Sequence, residues 1–72
     1  MQGSIVSESV RLIVNAYVQL RDRQAIEQLR EHRRLLREKL QAIAGGDFDP
    51  SRSLRLIDSD LSEIDAGLAR LQ

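Results

Sequence analysis

From position 26 onward, apolar residues recur at alternating steps of three and four. Ile26, Leu29, Leu36, Leu40 and Ile43 form one ladder, with Arg33 in its one polar place. Leu54, Ile57, Leu61, Ile64, Leu68 and Leu71 form a second with the same steps. Such spacing puts each ladder on one face of an α-helix. Folding the chain back between them pairs 43 with 54, 40 with 57, 36 with 61, 33 with 64, 29 with 68 and 26 with 71. Every pair of numbers has the same sum, as in an antiparallel hairpin where a positions face d positions. The pattern therefore predicts an all-α fold built on an antiparallel coiled-coil helical hairpin, with helices over about 22–44 and 50–71. Residues 45–49 are its loop. There Gly45 is placed to take the left-handed conformation that closes a helix, and Asp49-Pro50 reads as an N-cap and N1 pair.

The flanking charges agree with a register chosen from the apolar residues alone. It sets Arg37 against Asp58, Arg30 against Asp65 and Lys39 against Asp60, all of opposite sign. Exposed pairs contribute only about 0.2–1 kcal/mol each, so their larger role is to reject slipped registers. Arg33 belongs with them as a register-setting residue. It faces Ile64 in the seam, with Asp60 and Glu63 within reach, and a single polar seam residue specifies register or oligomer state in coiled coils. The plainer reading is that its stem packs while its head reaches water.

Residues 4–21 read two ways. As a helix over about 4–20, Val6, Val10, Ile13, Tyr17 and Leu20 form a stripe, widened by Val14 and Val18. As a strand, Val10, Leu12, Val14, Ala16, Val18 and Leu20 alternate with polar or outward positions. A lone strand has no pairing partner in this chain, so the helix is preferred. The stripe changes phase around Arg21-Asp22-Arg23, which predicts a kink or short break, with one unbroken helix from 5 to 44 as the alternative. The hairpin offers this helix a surface comprising Ala25, His32, Leu35, Ala42, Leu56 and Gly67. Gly67 costs about 1 kcal/mol against Ala inside a helix, so it marks a place where another element comes close. The apolar face of residues 4–20 is wider than one hairpin buries. That surplus predicts a self-association surface, with Val6, Val10, Ile13, Val14, Tyr17, Val18 and Leu20 meeting His32, Leu35, Leu56 and Gly67 in a dimeric helical bundle.

Composition narrows the chemistry. Seventy-two residues make a single domain, 1–72. A chain this short buries only about 60% of its unfolded surface and commonly needs outside support. With no Cys and one His, disulfides and Cys/His zinc sites are excluded, which leaves oligomerisation. Eleven basic residues balance eleven acidic ones, so there is no global pull toward nucleic acid or an anionic membrane. Apolar runs reach only three residues, as at Leu12-Ile13-Val14, and Met1-Gln2-Gly3-Ser4 lacks a basic leader region. A soluble, cytoplasmic protein is expected.

No arrangement of residues points to catalysis or to a cofactor. His32 has Leu29, not Glu, three residues before it, and no second ligand for a metal. The basic cluster Arg30, Arg33, Arg34, Arg37 and Lys39 is interleaved with Glu27, Glu31 and Glu38, and Tyr17 and Phe48 are the only aromatics. Asp47-Phe48-Asp49 is too short for a calcium loop, and Gly45-Gly46 follows a helix rather than a strand. The reading is a non-enzymatic protein–protein interaction module, a homodimer serving as adaptor, regulator or accessory subunit. The alternative is a small dimeric DNA-binding regulator in which residues 8–20 form a β-ribbon with a second copy, presenting Arg11, Ile13, Asn15, Tyr17, Gln19 and Arg21 to a groove.

Overall fold

A computed structural model describes residues 5–72, with side chains from Glu8 onward. The chain folds as three packed helices: α1 (Ile5–Leu20), α2 (Arg23–Ala42) and α3 (Ser51–Ala69). Among the described residues the only β-type pairing is an isolated bridge between Gly45 and Phe48. The β-ribbon over residues 8–20 is thereby overturned, because all of them lie in α1. A helix satisfies its own backbone groups, whereas the ribbon needed a second chain to do so. Expectations placed on Ser4 and on the Val6 side chain lie outside what is described.

The α1–α2 connection is neither a kink nor a continuous helix. The Asp22 N–H donates to the Tyr17 carbonyl at 2.9 Å and the Arg21 N–H to the Val18 carbonyl at 3.0 Å, with Arg21 at φ 56°. This is a Schellman closure, with Arg in the left-handed place usually held by Gly. Asp22 then accepts from the Ala25 N–H at 3.1 Å, capping α2 as it ends α1.

The second connection differs from expectation at both ends. The α2 helix stops at Ala42, and it is Gly46, at φ 55°, that occupies the left-handed region, while Gly45 sits at φ 134°. Gly45 and Phe48 exchange two backbone bonds of 3.1 and 2.9 Å, closing a two-residue turn that needs Gly at its first central place. Helix α3 begins at Ser51 rather than Pro50. The Pro50 carbonyl accepts its first helical bond from the Leu54 N–H at 2.8 Å. Proline has no capping side chain, so Asp49 caps from one residue further out, accepting from the Ser51 N–H at 3.1 Å and from the Ser51 hydroxyl.

Both α1 and α2 pack chiefly on α3 and touch each other less. The result is a flat molecule, 44 × 27 × 13 Å, with a radius of gyration of 13.3 Å. A compact chain of this length would give roughly 11 Å. The core sits at the end where α1 joins α2: Val10, Val14, Ile26 and Ile64 are buried, with Tyr17, Val18, Leu29, Leu68 and Leu71 packed around them. At Gly67 a β-carbon would overlap Val14 Cγ1 outright and lie 3.5 Å from Val18 Cγ2. The close approach expected at Gly67 is thus made within the chain, by side chains of α1.

That contact corrects the predicted stripe. Val14 and Val18 belong to the inward face, while Ile13 and Leu20 point outward and are exposed. The two-residue connection sets the rotation of α1, and Gly67 provides the hollow that Val14 fills. Of the rest of the predicted docking face, His32, Leu35 and Ala42 are exposed, while Ala25 and Leu56 are half-buried.

Candidate interaction surfaces

Polar contacts between α2 and α3 hold an antiparallel register. Arg37 Nε donates to Asp58 at 2.7 Å and Arg30 Nε to Asp65 at 2.9 Å, as the sequence register places them. Lys39 does not pair with Asp60. Asp60 is 3% exposed, and Arg33 Nε reaches it at 3.2 Å, while Lys39 lies on the exposed surface of α2. Arg33 sits in the seam facing α3, so its guanidinium arrives where a side chain from the flank does not. Arg33 Nη1 also lies 2.8 Å from His32 Nδ1. A guanidinium only donates, so that ring nitrogen accepts. Arg34 turns outward to Glu31 at 2.7 Å and Glu38 at 3.8 Å, so the basic cluster is largely paired on its own surface.

Two carboxylates carry the imprint of these bonds. The Arg37 hydrogen bond, together with its charge, holds the Asp58 carboxyl below the usual carboxylate range, and Asp58 in turn raises Arg37. Hydrogen bonds from the Ser51 hydroxyl and amide lower Asp49 in the same way.

Asp60 is the unexpected residue. Its Oδ2 takes the Arg33 bond, but Oδ1 is buried with no hydrogen-bond partner. Leaving a buried acceptor unmet costs about 1–3 kcal/mol, more when it is charged. Arg33 and Asp60 stand at one end of an open groove of about 470 Å³ between α2 and α3, lined further by Leu36, Leu40, Leu56 and Ile57. Asp60 lies seven residues before Gly67 and therefore on the same face of α3. That spacing was the available signal that Asp60 faces the interior.

A second apolar surface lies on the outside of α1. Leu20 is 73% and Leu12 62% exposed, and with Ala16, Asn15 and Gln19 they border a shallow hollow of about 510 Å³. Asn15 Oδ1 accepts from Arg70 Nη2 at 2.8 Å, tying this edge of α1 to the end of α3. Of the expected interface residues, Val10, Val14, Tyr17, Val18 and Gly67 are engaged inside the chain. Ile13, Leu20, His32 and Leu35 are exposed, and Leu56 is half-buried at the groove.

Comparison with protein-family models, curated proteins and solved structures returns no match. Among the described residues no three His, Asp or Glu side chains are grouped to hold a metal ion, and no helix is long and apolar enough to cross a membrane.

Proposed function

We propose that this protein is a non-enzymatic interaction module that self-associates through the outer face of α1. In this reading the α2–α3 pair is an antiparallel coiled-coil hairpin serving as scaffold, and the dimer acts as an adaptor, regulator or accessory subunit. One observation carries it: α1 is apolar on opposite faces, with Val10 and Val14 turned to the core while Leu12, Ile13 and Leu20 face out. Its polar residues Glu8, Arg11, Asn15 and Gln19 lie along one flank, so the outward apolar residues are a second apolar face that the chain itself leaves uncovered. The buried apolar set is small, so added burial matters more here than in a larger domain.

The magnitudes are consistent with a second copy as partner. Burying a Leu or Ile side chain stabilises by about 1.5–3 kcal/mol, so the outward residues of two copies offer on the order of 10 kcal/mol. Association costs roughly 4–15 kcal/mol. A dimer is within reach, with an affinity set by whatever else the two copies bury.

Size-exclusion chromatography with light scattering over a wide concentration range tests this. The expected result is a dimer mass, reduced to a monomer by Leu20→Glu with an unchanged helical circular dichroism spectrum. A wild-type monomer at every concentration would overturn the reading.

A further inference from the structure

The turn between α1 and α2 is made of residues that suit a helix better. Leu20-Arg21-Asp22-Arg23-Gln24 contains neither Gly nor Pro. Arg21 nonetheless sits at φ 56°, a left-handed conformation that a β-carbon disfavours. Three bonds close the turn: the Asp22 N–H to the Tyr17 carbonyl, the Arg21 N–H to the Val18 carbonyl, and the Ala25 N–H to the Asp22 carboxylate. A continuous helix replaces each of them. There the same three N–H groups donate to the carbonyls of Val18, Tyr17 and Arg21, four residues back. The turn thus gains no bond over a helix, and what keeps it closed is the docking of α1.

That docking is made chiefly on α3. Val14 fills the hollow at Gly67, Asn15 accepts from Arg70 at 2.8 Å, and α1 touches α2 less. The surface that receives α1 is the same on every copy. A second copy's α1 therefore meets it with the contacts already seen within one chain, so the occupant needs no new complementarity.

We infer that α1 is an exchangeable element, which two copies trade when residues 20–24 straighten into helix. Each copy then carries one helix from Ile5 to Ala42, and its Val14 fills the hollow at Gly67 of the other. That helix is about 57 Å long at 1.5 Å per residue, against 44 Å for the longest dimension of the closed molecule. Exchange about a two-fold axis satisfies both copies and closes the assembly at two. The outer face of α1 takes no part, so the exchange goes beyond the association proposed above and does not depend on it. Because α1 must leave its own α3 first, exchange accompanies refolding at high concentration and not the mixing of folded copies.

The Asn15–Arg70 contact makes exchange readable in a chain without cysteine. Asn15→Cys and Arg70→Cys variants are purified separately and mixed at high concentration. One sample is left folded, the other is unfolded in urea and refolded, and both are treated with a short bis-maleimide. The expected product is a mixed dimer linked between positions 15 and 70, abundant after refolding and scarce from folded proteins. Equal yields in the two samples would overturn the exchange, since contact between folded outer faces then accounts for the link. No link in either sample would overturn it as well, and leaves outer-face association to be decided by the wild-type mass. Two changes at the turn give a second readout. Arg21→Gly, placed in both variants, fits the left-handed turn and opposes the helix, so the refolded yield is expected to fall about fivefold. Asp22→Ala removes the cap that starts α2 and favours the continuous helix, so the yield is expected to rise. A yield that neither change moves would show that the turn does not govern the link, and would overturn the inference.

Discussion

At the scale of single residues, Gly67 decides how α1 sits on α3, and Asp60 is the buried charge between α2 and α3. Gly67 is in the interior of α3, where Ala would ordinarily stabilise by about 1 kcal/mol. Here the added methyl meets Val14 Cγ1, on a β-branched side chain that is itself buried. Gly67→Ala is therefore expected to destabilise by about 1–3 kcal/mol in urea unfolding. In a Val14→Ala background the same change should turn stabilising, because the overlap is gone and the propensity gain remains. Asp60 makes the companion case. Arg33→Leu strands a buried carboxylate and should cost about 2–4 kcal/mol, whereas Arg33→Leu with Asp60→Leu should recover most of that loss. Equal effects of the single and double changes would show that the pair is not coupled. Gly67 was legible in the sequence as a point of close approach. The burial of Asp60 was not, because its seam-flanking position matched a surface pairing with Lys39 equally well.

At the scale of elements, part of the α2–α3 alignment could be read in advance. Arg30–Asp65 and Arg37–Asp58 form where the sequence puts them, while Lys39 does not reach Asp60 and the ladder residues Leu36 and Ile43 stay exposed. The rotation of α1 could not be read, since its apolar residues cover more than one face and more than one stripe fits. Tertiary geometry makes the choice, through the two-residue connection at Arg21-Asp22 and the hollow at Gly67. That connection carries its own cost, because a left-handed non-glycine residue is disfavoured by roughly 1–2 kcal/mol. Arg21→Gly relieves it but adds freedom to the unfolded chain. The net expectation is a gain of about 0.5–1 kcal/mol by urea unfolding, while Arg21→Ala should change little. A loss on Arg21→Gly would mean that the Arg21 side chain supports the turn by some other contact.

At the scale of the whole molecule, stability rests on a small core plus contacts along an exposed seam, and the exposed part responds to pH. Asp58 and Asp49 both have folded pKa values lowered by hydrogen bonds, from Arg37 and from Ser51. The unfolded chain holds an Asp near about 3.9, so protons bind the unfolded state more readily than the folded one. The stability these groups contribute is present in full above that value and is lost as pH falls through their lower folded values. Melting temperature should therefore be flat from neutral pH down to about 5 and fall below about 4. Salt separates the two sources. The Asp58–Arg37 pair is exposed and ionic, so much of its share should vanish in about 1 M salt, where the Debye length is about 3 Å. The Asp49 bonds to the Ser51 amide and hydroxyl are short-range, so their share of the acid limb should survive. Asp58→Asn should flatten the limb at low salt and make little difference at high salt. Should the limb keep its full depth in Asp58→Asn at low salt, the acid response belongs to the cap at the start of α3 and not to the seam.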